Sequence, residues 1–70
     1  MTHRIDARGM RCPWPAIRLA RALRERETGE VEIRADDPAA PRELRLVADH
    51  AGWTFREGEE GGEPVFRLSR

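Results

Sequence analysis

Apolar residues recur along this chain with two different periods, and the alternation between those periods predicts its elements. His3 to Arg8 alternates weakly and carries Ile5 inward, as a short first strand does, and Gly9 then supplies a turn. From Pro13 to about Arg26, Ala16, Ile17, Leu19, Ala20 and Leu23 return at spacings of three and four with arginines between them, which predicts an amphipathic helix. Gly29 closes that region. Val31, Ile33 and Ala35 alternate with Glu30, Glu32 and Arg34 in a half-buried strand that ends at Asp36. Asp36 or Asp37 as N-cap and Pro38 in the first turn open a second helix to about Ala51, with a buried stripe of Leu44, Val47, Ala48 and Ala51. Gly52 ends it. Trp53 and Phe55 alternate with Thr54 and Arg56 in a third strand, and Phe66 and Leu68 alternate with Val65 and Arg67 in a fourth. The acidic, glycine-rich stretch Glu57 to Glu63 between them is read as a hairpin loop.

The order strand, helix, strand, helix, strand, strand (β-α-β-α-β-β) predicts an α/β (α+β) two-layer sandwich. A four-stranded mixed sheet carries both helices on one face, because so short a chain cannot cover two faces. Residues 1–70 are read as a single domain. A chain of this size hides only about 60% of the surface its unfolded form exposes, so the core has to be thin.

Composition then narrows the chemistry. Thirteen basic residues balance thirteen acidic ones, which removes any long-range attraction to nucleic acid or an anionic membrane. All thirteen are arginine, and the absence of lysine excludes Schiff-base and lysine-nucleophile mechanisms. A single cysteine cannot form an internal disulfide, which favours a reducing compartment. Arg4, Arg8 and Arg11 interrupt the start of the chain where a signal peptide needs a continuous apolar run, and no segment is long enough to span a bilayer. The expectation is a cytoplasmic protein with no membrane partner.

The lone thiol lies in Gly9-Met10-Arg11-Cys12-Pro13-Trp14-Pro15, between the first strand and the first helix. A free cysteine is only ~3% thiolate at neutral pH, and lowering its pKa by about one unit raises that to ~25%, for ~1.4 kcal/mol. A helix end and the guanidinium groups of Arg8, Arg11 and Arg18 are candidates to supply it, so Arg11 and Arg18 are expected to stabilise the thiolate. Pro13 and Pro15 remove two backbone donors at that helix end and leave charge as the larger expected contribution, while their fixed angles hold the sulfur in one direction. Read from local chemistry alone, Cys12 is either a small buried core residue or a presented, functional thiol.

With these residues in register, the chain resembles the TusA, or SirA-like, sulfur-carrier family. The resemblance runs from Ile5 to the C-terminus through Ile5-Asp6, Arg8-Gly9, the Cys12-Pro13-Trp14-Pro15 signature, Gly29, Asp36-Asp37-Pro38 and a closing strand around Phe66 to Leu68. It implies that Cys12 bears a persulfide received from a cysteine desulfurase or a rhodanese-like donor and passed to an acceptor protein. Transfer-RNA thiolation, molybdenum-cofactor chemistry and sulfur oxidation are the destinations it implies. Gly9, Pro13 and Pro15 then shape the loop, Asp36, Asp37 and Pro38 form a second signature of structural weight, and Trp14 and Arg21 are candidates for partner docking. Ala20 stands where the family often has a second basic residue, and Trp53 where a smaller polar or histidine residue is common.

No cofactor and no metal are expected, since His3 and His50 lack a metal-ligand spacing with Cys12. A monomer without direct nucleic-acid binding is expected. Trp14 is read equally as a core anchor or an exposed aromatic, and Asp6 as a turn residue. Two other function classes stay open. One is a redox-sensing thiol, which would need an intermolecular partner to form a disulfide; the other is an RNA-binding or regulatory module built on helix arginines. A carrier of the preferred kind would turn over stoichiometrically.

Overall fold

The computed structural model describes residues 2–70 and places β1 (Thr2–Asp6), α1 (Trp14–Arg24), β2 (Glu30–Arg34), α2 (Ala40–Ala51), β3 (Thr54–Glu60) and β4 (Glu63–Ser69) in the expected order. The four strands form one mixed sheet in the order β1-β2-β4-β3. β1 runs parallel to β2, as a strand–helix–strand crossover requires, while β4 pairs antiparallel with both β2 and β3. Ile5 lies opposite Ile33, Ile33 opposite Phe66, and Val31 opposite Leu68, so one face of the sheet is an apolar row.

Leu19, Ala22 and Leu23 of α1 and Leu44 and Ala48 of α2 close over that face, with Trp53 buried at the entry to β3. Burying a leucine of this kind stabilises by roughly 1.5–3 kcal/mol, which a thin core cannot spare. Phe55 stacks on Phe66 at 5.8 Å, and the Arg45 guanidinium covers the outer ring at 5.0 Å from its centroid.

The elements differ from the sequence expectation at four places. α1 starts at Trp14 and ends at Arg24, where the Arg26 guanidinium donates to the Ala22 carbonyl; Gly29 instead opens the sheet, exchanging backbone hydrogen bonds with Arg70. α2 begins at Ala40 rather than at Pro38, with Ala39 as its N-cap and Pro41 in its first turn. Asp37 is spent one step earlier, where its carboxylate accepts the Ala39 N–H at 2.8 Å and its carbonyl accepts the Ala40 N–H. The stretch Glu57 to Glu63 is not a loop, because β3 runs on to Glu60 and only Gly61-Gly62 turns, with φ of 61° and 81°. Two successive positive φ values define the tight hairpin turn that matches strand twist, and glycine adopts them without strain. The acidic run is tolerated in a strand because arginines face it across the sheet.

Those arginines also account for Val65, expected outward yet fully buried. On the second face of the sheet Arg34 and Gly58 lie opposite it. Glu60 binds both Arg34 and Arg67 there, Arg67 binds Glu32, and Glu32 binds Arg4, giving a continuous lattice of ion pairs. The Arg67 guanidinium runs over Gly58, 3.0 Å from where a Cβ would stand. This face is therefore covered by its own charges.

Candidate functional site

The connection from β1 to α1 has to bring a parallel strand's end back over the sheet, and it does so in a loop whose backbone donors are held from outside. Gly9 takes φ of 81°, Met10 donates to the Ala7 carbonyl, and the Gly9 N–H donates to Asp36 Oδ1 at 3.0 Å. The Cys12 N–H donates to Asp37 Oδ2 at 3.3 Å. The second acidic signature thus braces the cysteine loop directly from the β2–α2 connection. Pro13 follows Cys12 through a cis peptide, Trp14 N–H closes the turn on the Arg11 carbonyl at 2.9 Å, and Ile17 N–H bonds the Pro13 carbonyl at 3.0 Å. Pro15 and Ala16 are buried and anchor the helix start.

Cys12 is exposed on this braced loop, which decides against a core role for it. Trp14 is 60% exposed beside it, which decides the same question for the tryptophan. Ile17 and Leu46 are the other large apolar side chains left open. A groove of about 670 Å³ runs between α1 and α2, lined in part by Ala20, Arg24, Glu43, Leu46 and Val47. Arg21 lies elsewhere, with His3, Ile5 and Arg18 around a shallow depression beside β1.

The electrostatics of the thiol overturn the sequence expectation. Loss of solvent around the sulfur, followed by the negative charges of Glu43 and Asp37 and hydrogen bonding to Glu43, pushes the Cys12 thiol above its ordinary pKa. The arginines expected to lower it are engaged elsewhere or absent from its surroundings. Arg8 donates to both carboxylate oxygens of Asp6 at 2.9 Å and pairs with Glu63. This fixes Asp6 as a turn residue and holds its carboxyl well below the usual carboxylate range. Arg18 donates to the Asp6 carbonyl at 2.9 Å and reaches the Met10 sulfur. Arg11 is exposed and is not among the groups that shift the thiol. Arg11 and Arg18 are therefore corrected from thiolate stabilisers to, respectively, a solvated neighbour and a backbone tie.

Sequence reasoning missed Glu43. The signal was available in its spacing, four residues before Val47 of the buried stripe, which sets it half-buried on the flank of α2 that borders the groove. Among the described residues no cluster of three or more His, Cys, Asp or Glu side chains could hold a metal ion, and no helix is long and apolar enough to cross a membrane. What the arrangement offers chemically is one accessible sulfur on a rigid loop, flanked by two carboxylates and an apolar rim.

The chain is similar to known proteins over nearly its whole length. The family model described as sulfurtransferase TusA matches residues 3–70. A proposed sulfur carrier protein from Archaeoglobus fulgidus is 37% identical over 65 residues, covering 91% of this chain and 84% of that protein. The proposed sulfur carrier protein YrkI from Bacillus subtilis is 32% identical over 60 residues, covering 84% of this chain and 80% of its own length. The crystal structure of a SirA-like protein from Desulfitobacterium hafniense superposes with a TM-score of 0.83 at 28% identity, covering 99% of this chain and 95% of that one.

Proposed function

Since the chain belongs to the TusA sulfurtransferase family, we propose that it is a sulfur carrier whose Cys12 accepts a sulfane sulfur as a persulfide and relays it to an acceptor protein. The single observation that carries this reading is the exposure of Cys12 on a loop braced by Asp36 and Asp37. A sulfur that must pass between two proteins has to be reachable by both, and it has to keep its direction without the entropic cost of ordering a mobile loop at each encounter.

The transfer is a nucleophilic exchange. The Cys12 thiolate attacks the terminal sulfur of a donor's cysteine persulfide, so a new S–S bond forms on Cys12 while the donor's own S–S bond breaks. The donor cysteine leaves as a thiolate, and the proton released from Cys12 balances it. No external oxidant or reductant takes part. A persulfide is more acidic than its parent thiol, so the loaded carrier ionises more readily than the empty one. In this reading the donor is a cysteine desulfurase or a rhodanese-like protein, and Trp14 with Ile17 forms the apolar rim against which a partner packs. Residues 1–70 then act as one cytoplasmic, monomeric domain without a cofactor, and transfer-RNA thiolation is one destination of the sulfur.

Incubation with a cysteine desulfurase and free cysteine tests the proposal. The mass of the intact protein is expected to rise by one sulfur atom, reversibly on reduction, and Cys12→Ala is expected to remain unmodified. A wild-type protein that gains no sulfur from a loaded desulfurase nor from a loaded rhodanese-like donor would overturn the reading.

A further inference from the structure

We propose that the depression formed by Arg11, Trp14 and Arg18 is a docking site for an acidic segment of a partner protein, one that carries an aspartate or glutamate and an apolar side chain beside its reactive sulfur. It rests on the sulfur-carrier reading and adds the chemistry of the partner's contacting face.

The depression adjoins the thiol through the chain itself. Gly9, Met10, Arg11, Trp14 and Arg18 line a volume of about 480 Å³, within the range of roughly 300–1,000 Å³ found for binding pockets. Arg11 and Trp14 are the two ends of the turn that carries Cys12, closed by the hydrogen bond from the Trp14 N–H to the Arg11 carbonyl at 2.9 Å. A group seated there touches the residues one and two positions from the sulfur. The same loop is held at the amides of Gly9 and Cys12 by Asp36 and Asp37, so the wall stands before anything arrives and little ordering cost falls on binding.

The charge of that wall has one sign. Each of four other depressions among the described residues includes a carboxylate, from Glu43, Glu30, Glu27 or Glu25 in turn, whereas this one includes two guanidinium groups and no acid. Arg18 is fixed in place: its Nη1 donates to the Asp6 carbonyl at 2.9 Å and lies 3.8 Å from Met10 Sδ, and Met10 belongs to the same wall. Asp6 has both carboxylate oxygens on Arg8 and gives Arg18 only its carbonyl. Arg18 also borders the depression that holds Glu25, and no ion pair joins the two among the described residues. Asp36 and Asp37 reach the loop, yet neither lines the depression. With these charges stands Trp14, 60% exposed. Tryptophan and arginine are the side chains that most often anchor protein interfaces, and a guanidinium fork takes a carboxylate through paired hydrogen bonds. A carboxylate next to an apolar side chain answers all three residues at once. A polyanion such as nucleic acid would answer the arginines alone, and a chain of zero net charge exerts no long-range pull on it.

Thiol–disulfide exchange with short peptides tests this without the natural partner. Cys12 of the full chain would be reacted at low ionic strength with the symmetrical disulfides of three capped peptides, Asp-Leu-Cys, Asn-Leu-Cys and Lys-Leu-Cys. The Cys12 thiolate keeps one peptide as a mixed disulfide and releases the other as a thiolate. Each rate is divided by the same peptide's rate with 2-mercaptoethanol. The acidic peptide is expected to exceed the neutral one by about fivefold, with the lysine peptide slowest and the gap narrowing in added salt. Arg11→Gln and Arg18→Gln are each expected to reduce the acidic-to-neutral ratio to about twofold. A change in the ionisation of the sulfur itself would move all three rates alike, so the ratio reads docking. Arg11 is exposed, so its variant and the salt dependence of the wild type keep the test decisive even if Arg18→Gln loosens the loop. A lysine peptide as fast as the acidic one would overturn the proposal, as would a ratio unchanged in both variants. A single-stranded RNA oligonucleotide that removes the acidic preference at micromolar concentration would also overturn it, assigning the site to a polyanion. These results leave sulfur loading untouched, whereas failure of loading with an intact acidic preference would count against the carrier reading alone.

Discussion

The second face of the sheet and the cysteine end of the molecule treat charge in opposite ways. On the sheet, Glu32 is buried between Arg4 and Arg67, and Glu60 joins Arg67 to Arg34, so each of these acids has an arginine within 4.0 Å. At the cysteine end, Asp36 and Asp37 accept the backbone N–H groups of Gly9, Cys12 and Ala39 and enter no ion pair among the described residues. The lattice covers an otherwise open surface and ties Arg4, Arg34 and Arg67 to the carboxylates of the strands. The cysteine end spends its carboxylates on main-chain amides, which fixes the loop, whereas the sheet spends them on arginines, which covers a surface.

The comparison breaks first at the sulfur. Cys12→Ala should abolish sulfur loading entirely with no measurable change in melting temperature, because the side chain is exposed and makes no core contact. A lowered melting temperature would mean that the loop needs the sulfur structurally. Asp37→Ala should lie on both sides of the contrast. It removes the acceptor for two N–H groups, at a cost of about 2 kcal/mol in urea unfolding, and slows sulfur loading several-fold by releasing the loop. Glu32→Gln should cost about 1 kcal/mol, since it removes the charge shared by Arg4 and Arg67, and leave loading at the wild-type rate. A loading defect there would show that the two regions are not independent.

The smallest expected effect is in the pH profile of alkylation. The folded state favours the neutral thiol, so the rate should be lower than in the urea-unfolded chain at neutral pH and should rise at a higher midpoint. By linkage, the corresponding stability is present in full below the ordinary thiol range and is lost as pH rises through the raised value. A folded midpoint at or below the unfolded one would restore the arginine-stabilised thiolate expected from the sequence.

Much of the architecture was legible because its signals are local. Val31 with Ile33, and Phe66 with Leu68, show a two-residue period, while Leu19, Leu23, Leu44 and Ala48 sit at helical spacing, and these are the residues that fill the core. The place of the cysteine between turn and helix was legible for the same reason, while its exposure, open between a core and a presented thiol, was set only by the fold. The extent of the hairpin was not, because Glu60 and Glu63 are stabilised in strands by Arg34, Arg67 and Arg8, distant in sequence. Neither was the start of α2, where Asp37 is diverted to the amides of Cys12 and Ala39. The ionisation of Cys12 was misread because neighbours along the chain were weighed and Glu43, which reaches it only in the fold, was not. Arg8 and Arg18 are near in sequence, yet they turn to Asp6.

The brace at the sulfur joins acid side chains of one segment to backbone amides of another. Since the amides of Gly9 and Cys12 belong to the main chain, the grip does not depend on the exposed side chain of Arg11 beside the sulfur. That residue can be exchanged for another while the sulfur stays in place, so one scaffold can be refitted for a different client by changing a single letter of its loop.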